Sequence, residues 1–268
     1  MEQVIKGSPS IGLVDVTVDY HRSIRLSVDN FRNLNCGTEY LEILWIMEPN
    51  VISNIRARVI DNHKKFDIIL TYDQEILDVC ENAYFMAFGT TWIQKDYDIT
   101  KPKKFAVSHI VGHKLWTPLH HLRHKVHYKQ KKITIPTDFY ISRFGGVDNF
   151  NNNKVLGVET KDPLFVSQFH ICIENSAQKN YFTEKLVDCF LTKTVPIYCG
   201  CDNIGEFFDL RGMIIAKDAK EIIAACNELT EDSYAEMLKY VEINYEVAKG
   251  YSELPIRFAQ TVEKILNK

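Results

Sequence analysis

Short apolar runs recur along the chain, separated by segments whose apolar residues fall at three- and four-residue steps. Ile43 to Met47, Phe66 to Leu70, Ala83 to Phe88 and Phe105 to Ile110 each read as a buried strand closed by polar residues. Ile133 to Ile135, Phe169 to Ile173, Val195 to Tyr198 and Met213 to Ala216 repeat the pattern. Between them, helices are predicted at 74–81, 117–130, 183–193 and 219–229. Strands interleaved with helices in this way specify parallel sheets in an α/β fold. Toward the end the pattern changes to two amphipathic helices, 232–249 and 252–267, with a break expected at Gly250. Near the start, the alternation of Val14, Val16 and Val18 predicts one more strand.

The polar stretch Gln94 to Lys104, which contains Pro102, is the natural place for a boundary. It divides the chain into an α/β lobe over 1–95 and a second over 96–250, followed by a helix over 251–268 free to cross back to the first lobe. A ligand cleft is expected between the lobes.

Composition narrows the classes. The 268 residues are 46% hydrophobic and 25% charged, the balance of a folded protein. A formal net charge of -3 gives no overall pull toward nucleic acid or an anionic membrane. No run approaches the roughly 20 apolar residues of a membrane span, and the first residues, Met1 to Gly7, lack an apolar signal core, so a cytoplasmic protein is expected. The seven cysteines, at 36, 80, 172, 189, 199, 201 and 226, form no CxxC pair and read as buried thiols in a reducing compartment. Cys199-Gly200-Cys201 has no second pair at zinc-like spacing and reads as structural.

The chemistry concentrates between Phe169 and Gly200. A buried strand ends in Glu174-Asn175-Ser176, at the carboxyl edge where open α/β sheets bind ligands. After a polar loop, Thr183 is placed to cap a helix continuing through Glu184, Lys185 and Leu186. Unpaired backbone N–H groups at a helix start favour an anion, and Lys185 adds a full charge, so phosphate is the natural guest. Glu184 is placed to accept hydrogen bonds from ribose hydroxyls. The plainer alternative is that Thr183 and Glu184 only stabilise a helix end.

This stretch resembles the donor-binding signature of the alpha-1,3-fucosyltransferase family: a strand ending Phe-Glu-Asn-Ser, then Tyr-x-Thr-Glu-Lys, then Val-Pro-Ile-Tyr-x-Gly. The corresponding residues are Glu174-Asn175-Ser176, Tyr181-Phe182-Thr183-Glu184-Lys185 and Val195-Pro196-Ile197-Tyr198-Cys199-Gly200. Ile173 stands where the family usually has Phe, and Cys199 where it usually has Trp. The likeness is clearest over roughly 104–245. It implies two Rossmann-like lobes of the GT-B type. It also implies inverting, metal-independent transfer from a nucleoside-diphosphate sugar, GDP-fucose first, to a glycan hydroxyl. Glu174, Asn175, Ser176, Tyr181, Thr183, Glu184 and Lys185 then belong to the donor site. A UDP-sugar donor such as UDP-xylose stays open.

Three further features bear on that reading. Between Lys101 and Lys132 lie nine Lys or Arg, six of the nine His, and no Asp or Glu. Such a belt suits nucleic acid, but Leu119, Leu122 and Val126 interrupt it at helical spacing, and one face of a cleft that attracts a diphosphate is preferred. Arg123 lies where the resembled family places a phosphate-binding arginine. His120, His121, His124 and His127 have no carboxylates or thiolates nearby and are expected on the cleft or the surface rather than on a metal. Next, Trp45-Ile46-Met47-Glu48-Pro49-Asn50 delivers one carboxylate at a strand end before a turn. The family has a Gly-Glu-Asn near this point, so Glu48 is the expected general base, the alternative being a surface carboxylate. Last, Asp96-Tyr97-Asp98 is an acidic triplet of metal-binding type but falls in the polar linker, and no metal role is expected.

Overall fold

The computed structural model describes residues 2–5, 16–31, 39–143, 147, 153–157 and 160–268. Val14 and Cys36 lie outside the described residues. The chain divides into two compact units, the first made of Met1–Thr90, Gln178–Tyr181 and Tyr251–Lys268 and the second of Thr91–Ala177 and Phe182–Gly250.

The first unit contains β1 (Glu2–Ile5), β2 (Val16–Asp19), β3 (Ser23–Val28) and β4 (Tyr40–Trp45). Helices α1 (Asn50–Ser53) and α2 (Arg56–Asn62) follow, then β5 (Ile68–Thr71), α3 (Gln74–Val79) and β6 (Ala83–Phe85). Strands β1 and β2 form an antiparallel pair, and β3-β4-β5-β6 form a parallel sheet in that order. Both faces of this sheet are buried, which is why β4 reads as a continuous apolar run rather than an alternation. Leu41, Ile43 and Trp45 point into one core with Ile68 and Leu70, while Leu44 points into a second with Val59, Ile69 and Ile76. The first core is completed by Leu254, Phe258 and Val262 of the chain's last helix.

The second unit begins its sheet with β7 (Lys104–Val111), followed by α4 (Pro118–Tyr128), β8 (Thr137–Ser142) and β9 (Lys154–Leu156). It continues through β10 (Ser167–Ile173), α5 (Glu184–Leu191), β11 (Val195–Cys199), β12 (Ile214–Ile215), α6 (Ala219–Glu228) and α7 (Glu231–Ser252). The last helix, α8 (Leu254–Leu266), returns to the first unit. The sheet order is β12-β11-β10-β7-β8-β9, with every pairing parallel. The chain builds outward from β7 through β8 and β9, then returns to β7's other side with β10 and builds the opposite way. That reversal makes the carboxyl ends of β7 and β10 a topological switch point, the place where open α/β sheets receive ligands.

Two expectations need correction, and one strand went unpredicted. Ile133 to Ile135 is not a strand: the Ile133 N–H closes a turn on the Gln130 carbonyl, and the strand starts beyond Pro136, at Thr137. Gly250 does not break the tail, because α7 runs through it to Ser252. The stop falls at Glu253, whose backbone is non-helical, ahead of Pro255 in the first turn of α8. Strand β3 gave no clear apolar signal, because half of Ser-Ile-Arg-Leu-Ser-Val is polar and most of it is only partly buried. The units divide between Thr90 and Thr91, and the polar stretch 94–104 lies inside the second.

Candidate functional site

The site is built on the end of β10. Glu174 is wholly buried there, and its carboxylate accepts from the Thr183 N–H and the Thr183 hydroxyl, both at 2.8 Å. Thr183 in turn caps α5, its Oγ1 accepting from the Lys185 N–H at 3.3 Å. The strand end and the helix start are thereby locked together. Gly200, after β11, makes room: a Cβ there would sit 2.6 Å from Glu174 Cγ and 2.5 Å from the Tyr198 hydroxyl.

Lys185 Nζ is 3.1 Å from Glu184 Oε1, 3.1 Å from Thr183 Oγ1 and 3.7 Å from Glu174 Oε2. Lys161 Nζ lies 3.1 Å from the same Glu184 oxygen. Burial pushes the Glu174 carboxyl upward in spite of Lys185. Burial works the same way on Glu184, but Lys161 and Lys185 outweigh it and hold that carboxyl well below the usual range. Lys185 is partly buried, and Glu184 and Glu174 keep its ammonium above the usual lysine value. The cluster is charged, partly buried and organised before any ligand arrives.

Arg123 completes it from α4. Its Nε and Nη2 donate to the Ile173 carbonyl at 3.0 and 2.5 Å, and Nη2 also donates to Asn175 Oδ1 at 2.9 Å. The guanidinium of the helix after β7 thus grips the end of β10, across the switch point. Three cations, Arg123, Lys161 and Lys185, face two carboxylates, Glu174 and Glu184, so the cluster carries a positive excess suited to a diphosphate. Of the residues the sequence singled out, Arg123, Glu174, Asn175, Thr183, Glu184 and Lys185 come together. Ser176 is half-buried just beyond them. Tyr181 does not join the group: its buried ring packs 5.0 Å from Tyr72, within the first unit.

The histidines of α4 correct an expectation. His121 is exposed, but His120, His124 and His127 are buried, because the spacing 120, 124, 127 puts all three on the helix face turned to the sheet. His120 Nε2 lies 3.3 Å from Asn175 Oδ1, and burial, with Arg123 beside it, lowers its pKa to about 4. Elsewhere in the belt, Lys103 turns inward to the Phe165 carbonyl and Thr194 hydroxyl, and burial lowers its pKa to about 7. Among the described residues no cluster of three or more His, Cys, Asp or Glu is arranged to hold a metal. Asp98 instead fixes a turn, accepting from the Thr100 N–H and hydroxyl at 3.0 and 2.6 Å. Cys199 and Cys201 are buried free thiols, as are Cys80, Cys172, Cys189 and Cys226.

In the first unit, Glu48 is half-buried three residues beyond β4, and its carboxylate has no hydrogen-bond or ion-pair partner among the described residues. Its backbone N–H donates to the Asp29 carboxylate at 3.2 Å, and the Met47 N–H does so at 2.8 Å. Asp29 directly follows β3 in the left-handed region, φ 50°, and burial raises its carboxyl to about 6 despite those two donors. Sequence reasoning missed Asp29 and Lys161. The only hint of Asp29 was an Asp-Asn pair, which tolerates a left-handed turn, and nothing local marked Lys161.

The model for the C-terminal region of glycosyltransferase family 10 (fucosyltransferase) matches residues 100–252. The alpha-(1,3)-fucosyltransferase FucT of Helicobacter pylori is 29% identical over 94 residues, which is 32% of this chain and 20% of that relative. Among solved structures, an alpha1,3-fucosyltransferase with GDP aligns at TM-score 0.50 and 17% identity over 86% of this chain and 77% of the other. TarM aligns at TM-score 0.55 and 14% identity over 91% and 54%. At these identities the structural likeness shows the fold, two Rossmann-like units of the GT-B type.

Proposed function

The chain belongs to glycosyltransferase family 10, and from that premise we propose that it transfers a sugar, fucose first, from a nucleoside-diphosphate donor to a hydroxyl of a glycan acceptor. The observation that carries the proposal is the convergence of Arg123, Lys185 and the start of α5 on the end of β10. Together they supply the positive field that a departing diphosphate needs. Because these side chains provide the charge that a cation provides in other transferases, the reaction is assigned as metal-independent.

In the proposed step the acceptor oxygen attacks the anomeric carbon as its bond to the diphosphate oxygen breaks. The acceptor's proton passes to the Glu48 carboxylate, and the negative charge moves onto the diphosphate, held by Arg123 and Lys185. One displacement inverts the anomeric centre. Thr183 fixes the start of α5, and Glu184 is placed for the ribose hydroxyls. GDP is the favoured carrier, with UDP the alternative that binding separates. Among the described residues no helix is long and apolar enough to cross a membrane. Six buried free thiols favour placing the protein in the reducing cytoplasm.

Sugar transfer from GDP-fucose to an oligosaccharide acceptor, run with excess EDTA and read by the anomeric configuration of the product, tests the proposal. Full activity with an inverted product is expected. Activity abolished by EDTA and restored by manganese, or a product of retained configuration, contradicts it.

A further inference from the structure

In the first unit, the parallel pairing of β3 with β4 ends at Val28 opposite Trp45. One more backbone bond closes the ladder, the Asp29 N–H donating to the Trp45 carbonyl at 3.0 Å, and the Ile46 N–H goes the other way, to Leu70 of β5 at 2.9 Å. The next two N–H groups go to a side chain instead. Asp29 Oδ1 accepts from Met47 at 2.8 Å and from Glu48 at 3.2 Å, and Oδ2 accepts from Glu48 at 3.2 Å. The carboxylate thus stands in for the strand that β3 no longer supplies. Asp29 can do this because it ends the extended run in the left-handed region, φ 50°, which aspartate adopts more readily than most residues.

Those bonds decide where Glu48 sits. The Glu48 carboxylate itself has no hydrogen-bond or ion-pair partner among the described residues, so its position is set through its backbone. On the carbonyl side, Pro49 holds φ at -64° and the Ser53 hydroxyl lies 3.5 Å from the Glu48 carbonyl oxygen. On the amide side there is Asp29. A general base works only within hydrogen-bond reach of the proton it takes, so a small displacement of its backbone is felt in the rate. The holding bonds are strongest when the acceptor is ionised. Burial raises the Asp29 carboxyl to about 6, the two N–H groups oppose that, and the charge of Glu48 adds to it. From β5 the group that faces Asp29 is the buried Tyr72 hydroxyl, which burial keeps neutral. Beyond Tyr72, Arg56 is paired with Asp73 and Glu75. Asp29 is therefore charged at neutral pH and loses that charge as pH falls through about 6.

We propose that Asp29 is the positioning residue of the general base: its carboxylate fixes the Met47–Glu48 backbone that carries the Glu48 side chain to the acceptor hydroxyl. Asp29 acts through Glu48 and takes no proton from the acceptor itself. The inference rests on the proposed role of Glu48.

Turnover of the full chain with GDP-fucose and an oligosaccharide acceptor, measured between pH 5 and 8 for the parent, Asp29→Asn, Asp29→Glu and Glu48→Gln, tests it, with GDP titration and melting temperatures on the same preparations. Asparagine keeps the shape, the left-handed backbone and one acceptor oxygen, and removes the charge. The parent is expected to lose turnover as pH falls through about 6. Asp29→Asn is expected to turn over about 10-fold more slowly at pH 7.5, the worth of a charge-assisted hydrogen bond, to lack the limb near pH 6, and to bind GDP as the parent does. Asp29→Glu returns the charge on a longer arm and is expected to recover the limb and part of the rate, a readout that stands even if Asp29→Asn melts too low to assay. A parent without the limb, or Asp29→Asn matching the parent across the range, overturns the inference. Slower turnover with the limb unmoved overturns it too, since Asp29 then serves only the fold. Retained turnover in Glu48→Gln removes the base and the inference together, whereas loss in Glu48→Gln beside unchanged Asp29→Asn removes the inference alone.

Discussion

Arg123 Nη2 stands 2.9 Å from Asn175 Oδ1, so the helix that follows β7 is pinned to the end of β10. Those two strands flank the point where the sheet's order reverses, and the contact joins the belt residue to the Glu-Asn-Ser motif. The same guanidinium reaches the Ile173 carbonyl, which sets a charged, planar donor at the mouth of the proposed anion site rather than on a mobile surface arm. Lys185 is held by Glu174 and Glu184. A diphosphate entering here meets charges already in place, which is the condition under which electrostatic stabilisation is strongest.

Glu48 is assigned to proton transfer and not to donor binding, so its loss has a distinct signature. Glu48→Gln keeps the shape and removes the proton acceptor. Turnover is expected to fall by about 100-fold or more, while the nucleotide binds within about 2-fold of the parent. Turnover and titration on one preparation check this. Retained turnover removes Glu48 from the mechanism.

Gly200 is required by contact rather than by backbone angle. Gly200→Ala forces a methyl group against Glu174 Cγ and the Tyr198 hydroxyl at 2.5–2.6 Å, so Glu174 must leave Thr183 or the strand end must shift. Overpacking of this kind costs about 1–3 kcal/mol. A lower melting temperature together with weaker nucleotide binding is expected. An unchanged melting curve contradicts the tight packing described.

Asp188, buried on α5, accepts from the Thr91 hydroxyl at 2.7 Å and the Trp92 N–H at 3.0 Å, and burial raises its pKa to about 7. The folded chain binds this proton more tightly than the unfolded chain. Its contribution is therefore fully present below the unfolded carboxylate pKa, near 4, and is lost as pH rises toward 7. Between those limits the loss amounts to about 4 kcal/mol. Denaturant midpoints of the parent and Asp188→Asn at pH 4.5 and 7.5 isolate the effect, since other groups titrate alike in both. The parent is expected to lose the more stability over that range. Parallel behaviour rules the buried proton out.

Much of this was legible in the chain. The strand at Phe169 to Ile173, the cap at Thr183 and the cation at Lys185 follow from local order, because a buried strand, a loop and a capped helix are read within thirty residues. Arg123 needed the family resemblance, since its contact with Asn175 spans 52 residues. Lys161 and Asp29 escaped because they matter through long-range contacts, Lys161 to Glu184 and Asp29 to the Met47 and Glu48 N–H groups. The α4 histidines show how composition misleads. A basic, histidine-rich run read as the face of a cleft, with its histidines on the cleft or the surface, yet helical spacing turned three of the four α4 histidines inward, and one of them, His120, keeps Nδ1 without a partner among the described residues.

The most direct measurement is titration of the nucleoside diphosphate into the parent, Arg123→Ala and Lys185→Ala, with melting temperatures recorded to confirm folding. The parent is expected to bind GDP, and each folded variant to lose about 3 kcal/mol, roughly 100-fold in affinity. Variants that fold and still bind the nucleotide as the parent does would show that the diphosphate does not sit at the end of β10, and the account of this site would fail.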